Sequence, residues 1–236
     1  MQFIEAESYT ALSRKAAGIL AAAVTAKPNS VLGLATGSSV LGIYAQLIEW
    51  CRSGDLDFSG VSSVNLDEYI SLDGSHPASY RYYMEHNFFL HIHIDPANTF
   101  VPSGVAADID AECKRYDAIL RSLGRIDVQL LGIGLDGHIG FNEPCDHFVA
   151  NTHAVELHPS TIAANARFFA DSADVPRRAI TMGIAPMVQA KKVLLVANGQ
   201  AKKDILHKAF FGPITPYVPA SILQLHPDVT VIYSEN

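Results

Sequence analysis

The apolar run Val128 to Ile133 breaks abruptly into glycine and acid, so that Leu130 to Pro144 reads LLGIGLDGHIGFNEP. A short apolar run that ends in a glycine turn predicts a strand buried on both faces. Strands of that kind belong to parallel sheets covered by helices. The turn carries Asp136, His138, Asn142 and Glu143, so this strand delivers proton-moving groups at its carboxyl end, where sites form in such sheets.

The same grammar recurs along the chain. Leu12, Ala16, Ile19, Ala23 and Val24 lie at helical spacing within Ser8 to Thr25, and Lys27-Pro28-Asn29 stops that helix. Ser30 to Ala35 is an apolar strand that breaks at Thr36-Gly37-Ser38-Ser39, and a helix through Leu41, Tyr44 and Leu47 follows. Val61 to Leu66 is a strand ending in Asp67-Glu68-Tyr69, and a helix runs through Tyr82, Tyr83 and Phe88. His91 to Pro102 reads mostly as loop, and Ile109 to Leu123 as a striped helix.

Further strands are expected at Asn151 to Leu157, Ala179 to Gly183, Val193 to Ala197 and Val229 to Tyr233. Further helices are expected from His158 to Phe169, Ala185 to Ala190, Gln200 to Phe210 and Pro219 to Leu225. The alternation predicts a three-layer α/β fold: a mostly parallel, Rossmann-like sheet with helices on both faces, in one domain spanning residues 1–236.

Composition narrows the function. A net charge of −7 argues against a nucleic-acid binder, which needs a basic face. Three scattered cysteines without a CxxC, no signal-like N-terminus and no apolar run near roughly 18–20 residues predict a cytoplasmic protein with no membrane partner.

Three strand ends hold candidate chemistry. Thr36, Gly37, Ser38 and Ser39 lead from a strand into a helix, a geometry that aims backbone N–H groups at an anion. The spacing is neither a Walker loop nor GxGxxG, so cations must come from elsewhere, with Arg167 and Lys202 as candidates. Asp67 and Glu68 leave an apolar strand, and desolvation there would raise a carboxylate toward the range of a general base. His138 lies between Asp136 and Glu143, carboxylates that orient an imidazole and increase its basicity. One imidazole with two carboxylates is a poor zinc set, so no metal is expected. His91-x-His93 lacks a third ligand and reads as structural.

Together LATGSS, NLDEY, GIGLDGHIGFNEP, Asn165-Ala166-Arg167-Phe168-Phe169 and ILQLHP resemble the glucosamine-6-phosphate deaminases over nearly the whole chain. The resemblance implies conversion of D-glucosamine 6-phosphate and water to D-fructose 6-phosphate and ammonia, without a cofactor. It implies that Asp67 moves a proton from C2 to C1 through an enolamine. His138 would open the pyranose ring with Asp136 and Glu143 beside it, and the ketimine would then be hydrolysed. Thr36 to Ser39, Arg167 and Lys202 would bind phosphate, with Lys203 as the competing lysine.

The family's turn often reads Thr-Gly-Gly-Thr-Pro, where this chain has Thr36-Gly37-Ser38-Ser39-Val40. The chain stops at Asn236, which resembles the short, non-allosteric type and a monomer or small homo-oligomer. The rival readings are 6-phosphogluconolactonase and a sugar-phosphate-sensing regulatory domain. Lactonases resemble one another in Asp-Glu-Arg where this chain has Asp67-Glu68-Tyr69, and they lack Phe141-Asn142-Glu143-Pro144. A regulator would need a helix-turn-helix, and residues 1–30 hold a single predicted helix.

Overall fold

The computed structural model describes residues 1–169, 171 and 174–235. A seven-stranded sheet forms its centre, with every pairing parallel. Its strands are β1 (Gln2–Glu5), β2 (Val31–Leu34), β3 (Ser62–Asn65), β5 (Thr99–Phe100), β6 (Val128–Leu131), β9 (Lys192–Asn198) and β10 (Val229–Ser234). A second, three-stranded antiparallel sheet joins β4 (Asp67–Tyr69), β7 (His153–Glu156) and β8 (Arg178–Thr181). The helices are α1 (Tyr9–Ala26), α2 (Leu41–Arg52), α3 (Tyr80–Asn87), α4 (Ile109–Leu123), α5 (Pro159–Asn165), α6 (Ile184–Gln189) and α7 (Lys203–Phe211).

The parallel sheet follows from strands that are apolar on both faces: β2 and β6 are buried at every residue. On α1, Leu12, Ala16, Leu20 and Val24 recur every four residues and are buried, and Ser8 caps the helix by accepting from the Ala11 N–H. Burying each leucine contributes roughly 1.5–3 kcal/mol, and the cap about 1 kcal/mol.

The strand order β1-β10-β9-β6-β2-β3-β5 positions the site. From β2 the chain proceeds outward through β3 and β5, then returns to place β6 on the other side of β2. The order therefore reverses between β2 and β6, and the crevice beyond their carboxyl ends is where ligands bind in such sheets. The Thr36 turn leaves β2 and the His138 loop leaves β6, so the two expected sites are neighbours across the reversal.

Four details differ from the sequence reading. β1 is an edge strand of polar and apolar residues without a distinct period, and was not expected. The run around residue 179 and the run around residue 153 are antiparallel partners in the small sheet rather than members of the main one. Residues 99–100, within the expected loop, pair with β3. Pro219–Leu225 is a 3-10 helix, as is Ala166–Phe168 at the end of the expected His158 to Phe169 helix. Among the described residues, no helix is long and apolar enough to cross a membrane.

Candidate active site

The His138 loop folds back on itself because of its glycines. The Gly134 N–H donates to the His138 carbonyl and Gly137 has φ +92°. A Cβ on Gly134 would meet the His138 ring at 2.3 Å and Asp136 Oδ1 at 2.7 Å, so only glycine lets the ring lie there. His138 Nδ1 is 2.8 Å from Asp136 Oδ1 and 3.7 Å from Glu143 Oε2. Neither approach has the alignment of a well-formed hydrogen bond, and Nδ1 and Oε2 are otherwise unpaired. Burial works against the Asp136 charge, but the His138 imidazole and nearby backbone N–H groups hold its carboxyl down to about 2. Glu143 is 8% exposed and is fixed through Oε1, which accepts from the His158 N–H at 3.2 Å.

Asp67 and Glu68 share neither environment nor task. The chain turns at Leu66 out of β3 and into β4, where Asp67 pairs with Thr181. Asp67 is 5% exposed, and burial, with the nearby Glu68 charge, pushes its carboxyl well above the usual range. No hydrogen bond satisfies its carboxylate among the described residues. Glu68 instead accepts the backbone N–H groups of Tyr69, Tyr80 and Arg81 at 2.8–2.9 Å, tying β4 to the start of α3. Burial still raises Glu68, and these bonds oppose the shift. The expected carboxylate pair is thus one buried carboxylate without a hydrogen-bond donor among the described residues and one structural anchor.

The strand carrying Asp67 and the loop carrying His138 meet at Gly140 and Phe141. Gly140 has φ +57°, and a Cβ there would lie 3.1 Å from Thr181 Oγ1 and 3.3 Å from Asp67 Oδ2. The Phe141 N–H donates to Thr181 Oγ1 at 3.1 Å, and Asn142 Nδ2 donates to the Ile139 and Met182 carbonyls. Thr181 was not singled out from sequence. Nothing in Ala179-Ile180-Thr181-Met182 signals that its hydroxyl faces another loop.

On the other side of the crevice, Ser38–Val40 forms a 3-10 turn running into α2, after Gly37 at φ +101°. The Tyr83 hydroxyl donates to the Gly37 carbonyl at 2.8 Å, and the Tyr9 hydroxyl to that of Ser38 at 2.9 Å. The Tyr80 hydroxyl donates to the Tyr69 hydroxyl at 3.4 Å, and burial pushes the Tyr80 phenol well up, with Thr36 lowering it and Asp67 raising it. Arg167 Nη2 reaches Ser38 Oγ at 3.4 Å.

Lys202 Nζ donates to the Ile133 carbonyl at 2.7 Å. Burial lowers its pKa, the Asp136 charge opposes that shift, and the Arg167 charge adds to it. Lys203 points away and pairs with Glu235 at 2.7 Å. The structure therefore brings together Asp67, Asp136, His138, Glu143, Thr36, Gly37, Ser38, Ser39, Arg167 and Lys202, and leaves Lys203 out.

A crevice with an anion turn, two cations, a desolvated carboxylate and a histidine between acids has the parts for proton transfer on a phosphorylated small molecule. The chain matches the family described as glucosamine-6-phosphate isomerases/6-phosphogluconolactonase over residues 5–232, and it belongs to that family. It is 63% identical to a glucosamine-6-phosphate deaminase of Lachnoclostridium phytofermentans over 98% of both chains. It is 54% identical to one of Geobacillus sp. over 100% of this chain and 94% of the relative. A solved monomeric glucosamine-6-phosphate deaminase superposes with a TM-score of 0.97 at 45% identity, covering 99% of this chain and 97% of the other. A 6-phosphogluconolactonase of Shewanella baltica shares the fold, with a TM-score of 0.77 at 20% identity and coverage of 99% and 97%.

Proposed function

We propose that residues 1–236 form one catalytic domain that isomerises and hydrolytically deaminates D-glucosamine 6-phosphate to D-fructose 6-phosphate and ammonia. The carrying observation is the buried Asp67 carboxylate packed beside Gly140, in the same loop as the Asp136–His138–Glu143 cluster. Thr36 to Ser39, Arg167 and Lys202 hold the phosphate. His138 then moves the proton between O1 and the ring oxygen, and Asp136 and Glu143 stabilise the imidazolium formed on the way. In the open chain, ionised Asp67 takes the C2 proton, giving an enolamine. Its raised pKa makes the resulting acid able to hold that proton and return it to C1. Water adds to the ketimine carbon and ammonia leaves.

Lactonase chemistry needs only an activated water, and gives a desolvated Asp67 no proton to move. Purified protein should release ammonia from glucosamine 6-phosphate and form fructose 6-phosphate equally well with and without chelator. Activity on 6-phosphogluconolactone alone would overturn the assignment. His138→Gln should slow reaction of the cyclic sugar more than that of an open-chain form, and equal losses would remove the ring-opening role. The net charge of −7 supports a small-molecule rather than nucleic-acid partner, and the 45% identical monomeric relative supports a monomer or small homo-oligomer.

A further inference from the structure

We infer that Asp136, His138 and Glu143 also form a binding site for one divalent ion of the Zn²⁺ or Co²⁺ type, and that its occupation shuts the enzyme off. One ligand atom from each of the three residues lies within 4.8 Å of the others. Tetrahedral zinc, with bonds of about 2.0–2.1 Å, sets its ligands about 3.3–3.5 Å apart. The separations from Nδ1, 2.8 Å to Asp136 Oδ1 and 3.7 Å to Glu143 Oε2, bracket that spacing. Asp136 and His138 remain 25% and 21% exposed, so the cluster is reached from solvent.

The hydrogen bonding of two of these atoms points to a cation as well. The Glu143 side chain is 92% buried, and its Oε2 has no hydrogen-bond donor. Nor does the buried Nδ1 that faces it have a well-aligned partner. Buried polar atoms left this way are costly, and one cation satisfies both. Charge agrees: two carboxylates and a neutral imidazole sum to −2, which a proton on His138 halves and a divalent ion cancels. By residue type alone one imidazole with two carboxylates is a weak zinc set, but the imidazole and small ligand count still favour Zn²⁺ or Co²⁺ over Mg²⁺ and Ca²⁺, which take six or more oxygens. The ligands are already seated, because Gly134 leaves the His138 ring and Asp136 close-packed against the backbone.

An ion bound this way occupies the nitrogen and both acids that support proton transfer through His138. The inhibition rests on the proposed function; the binding does not. The test is equilibrium dialysis of the purified protein against Zn²⁺, with the absorption spectrum of the Co²⁺ form, alongside ammonia release. The expected result is one ion per chain, a low-coordinate Co²⁺ spectrum, and at least tenfold inhibition that chelator reverses. Glu143→Gln and Asp136→Asn should each weaken the ion at least tenfold, with folding checked by circular dichroism. Lys202→Ala removes a neighbouring positive charge and should tighten the ion while weakening phosphate.

No binding below millimolar, or binding unchanged in both acid variants, overturns the site in favour of adventitious capture by surface histidines such as His147. Stoichiometric binding at full activity overturns the shut-off. A chain that binds the ion but never deaminates glucosamine 6-phosphate defeats the proposed function and leaves the ion site standing.

Discussion

Two buried aspartates at opposite ends of the sheet have opposite surroundings. Asp127 lies at the amino end of β6, 9% exposed. Its oxygens accept from Lys27 Nζ, Lys191 Nζ and the Val31 N–H at 2.7–2.8 Å. Burial raises it, but the two lysines and the amide outweigh that and hold it below the usual range. Asp67 lies beyond the carboxyl end of β3, similarly buried, with Glu68 rather than a lysine beside it, and is held well above that range. The same side chain joins strands and helix ends at one edge and remains available for chemistry at the other.

The signs of their pH dependence differ accordingly. Asp127, depressed on folding, stabilises the protein fully above its unfolded value of about 3.9, and that contribution is lost as pH falls through the folded value. Asp67, raised on folding, favours the folded chain below about 3.9 and opposes it increasingly as pH rises toward its own raised value. Activity, which needs ionised Asp67, should decline as pH falls through that raised value, while the Asp127 contribution to stability still holds.

Exchanging the groups should break the contrast in order of size. Asp67→Asn should lower kcat by about 10²–10⁴ and raise the melting temperature at neutral pH, since a desolvated charge is removed. A lower melting temperature would mean that Asp67 is a structural group like Asp127. Thr181→Val leaves the buried Phe141 N–H without its acceptor, and should lower kcat roughly tenfold or more, with inorganic-phosphate binding unchanged. Thr181→Ser should restore it; equal loss in both variants would assign the effect to packing.

Lys202→Ala should weaken inorganic phosphate about tenfold, whereas Lys203→Ala should change it less than twofold, measured by titration calorimetry. Asp127→Asn should leave kcat within about twofold and destabilise the fold by roughly 1–3 kcal/mol, a few degrees of melting temperature. The lower end is favoured because Lys27 and Lys191 are 41% and 52% exposed and solvent screens them.

What sequence made legible divides along the same line. Buried runs such as Val128 to Leu131 carry their strand identity alone, and the glycines after them mark where the chain must turn close to other groups. Lys202 stood out from Lys203 only in three dimensions, because register on a short 3-10 turn decides which one faces Ile133. The three-stranded sheet was hidden for a related reason. β4 has three residues, too few to show a period, and its partner β8 begins at Arg178, more than a hundred residues on. The Thr181 contact depends on that distant pairing and the helix-capping task of Glu68 on where the next helix begins, and local pattern encodes neither.

The most direct test of the contrast is proton exchange at C2, followed by NMR in deuterated buffer with glucosamine 6-phosphate bound. Wild-type protein should exchange the C2 proton or deliver solvent deuterium to C1 of the product. Asp67→Asn should do neither while still binding inorganic phosphate, and Asp127→Asn should behave as wild type. Exchange at the wild-type rate in Asp67→Asn would contradict the account, because the carbon acid would then be served by another base.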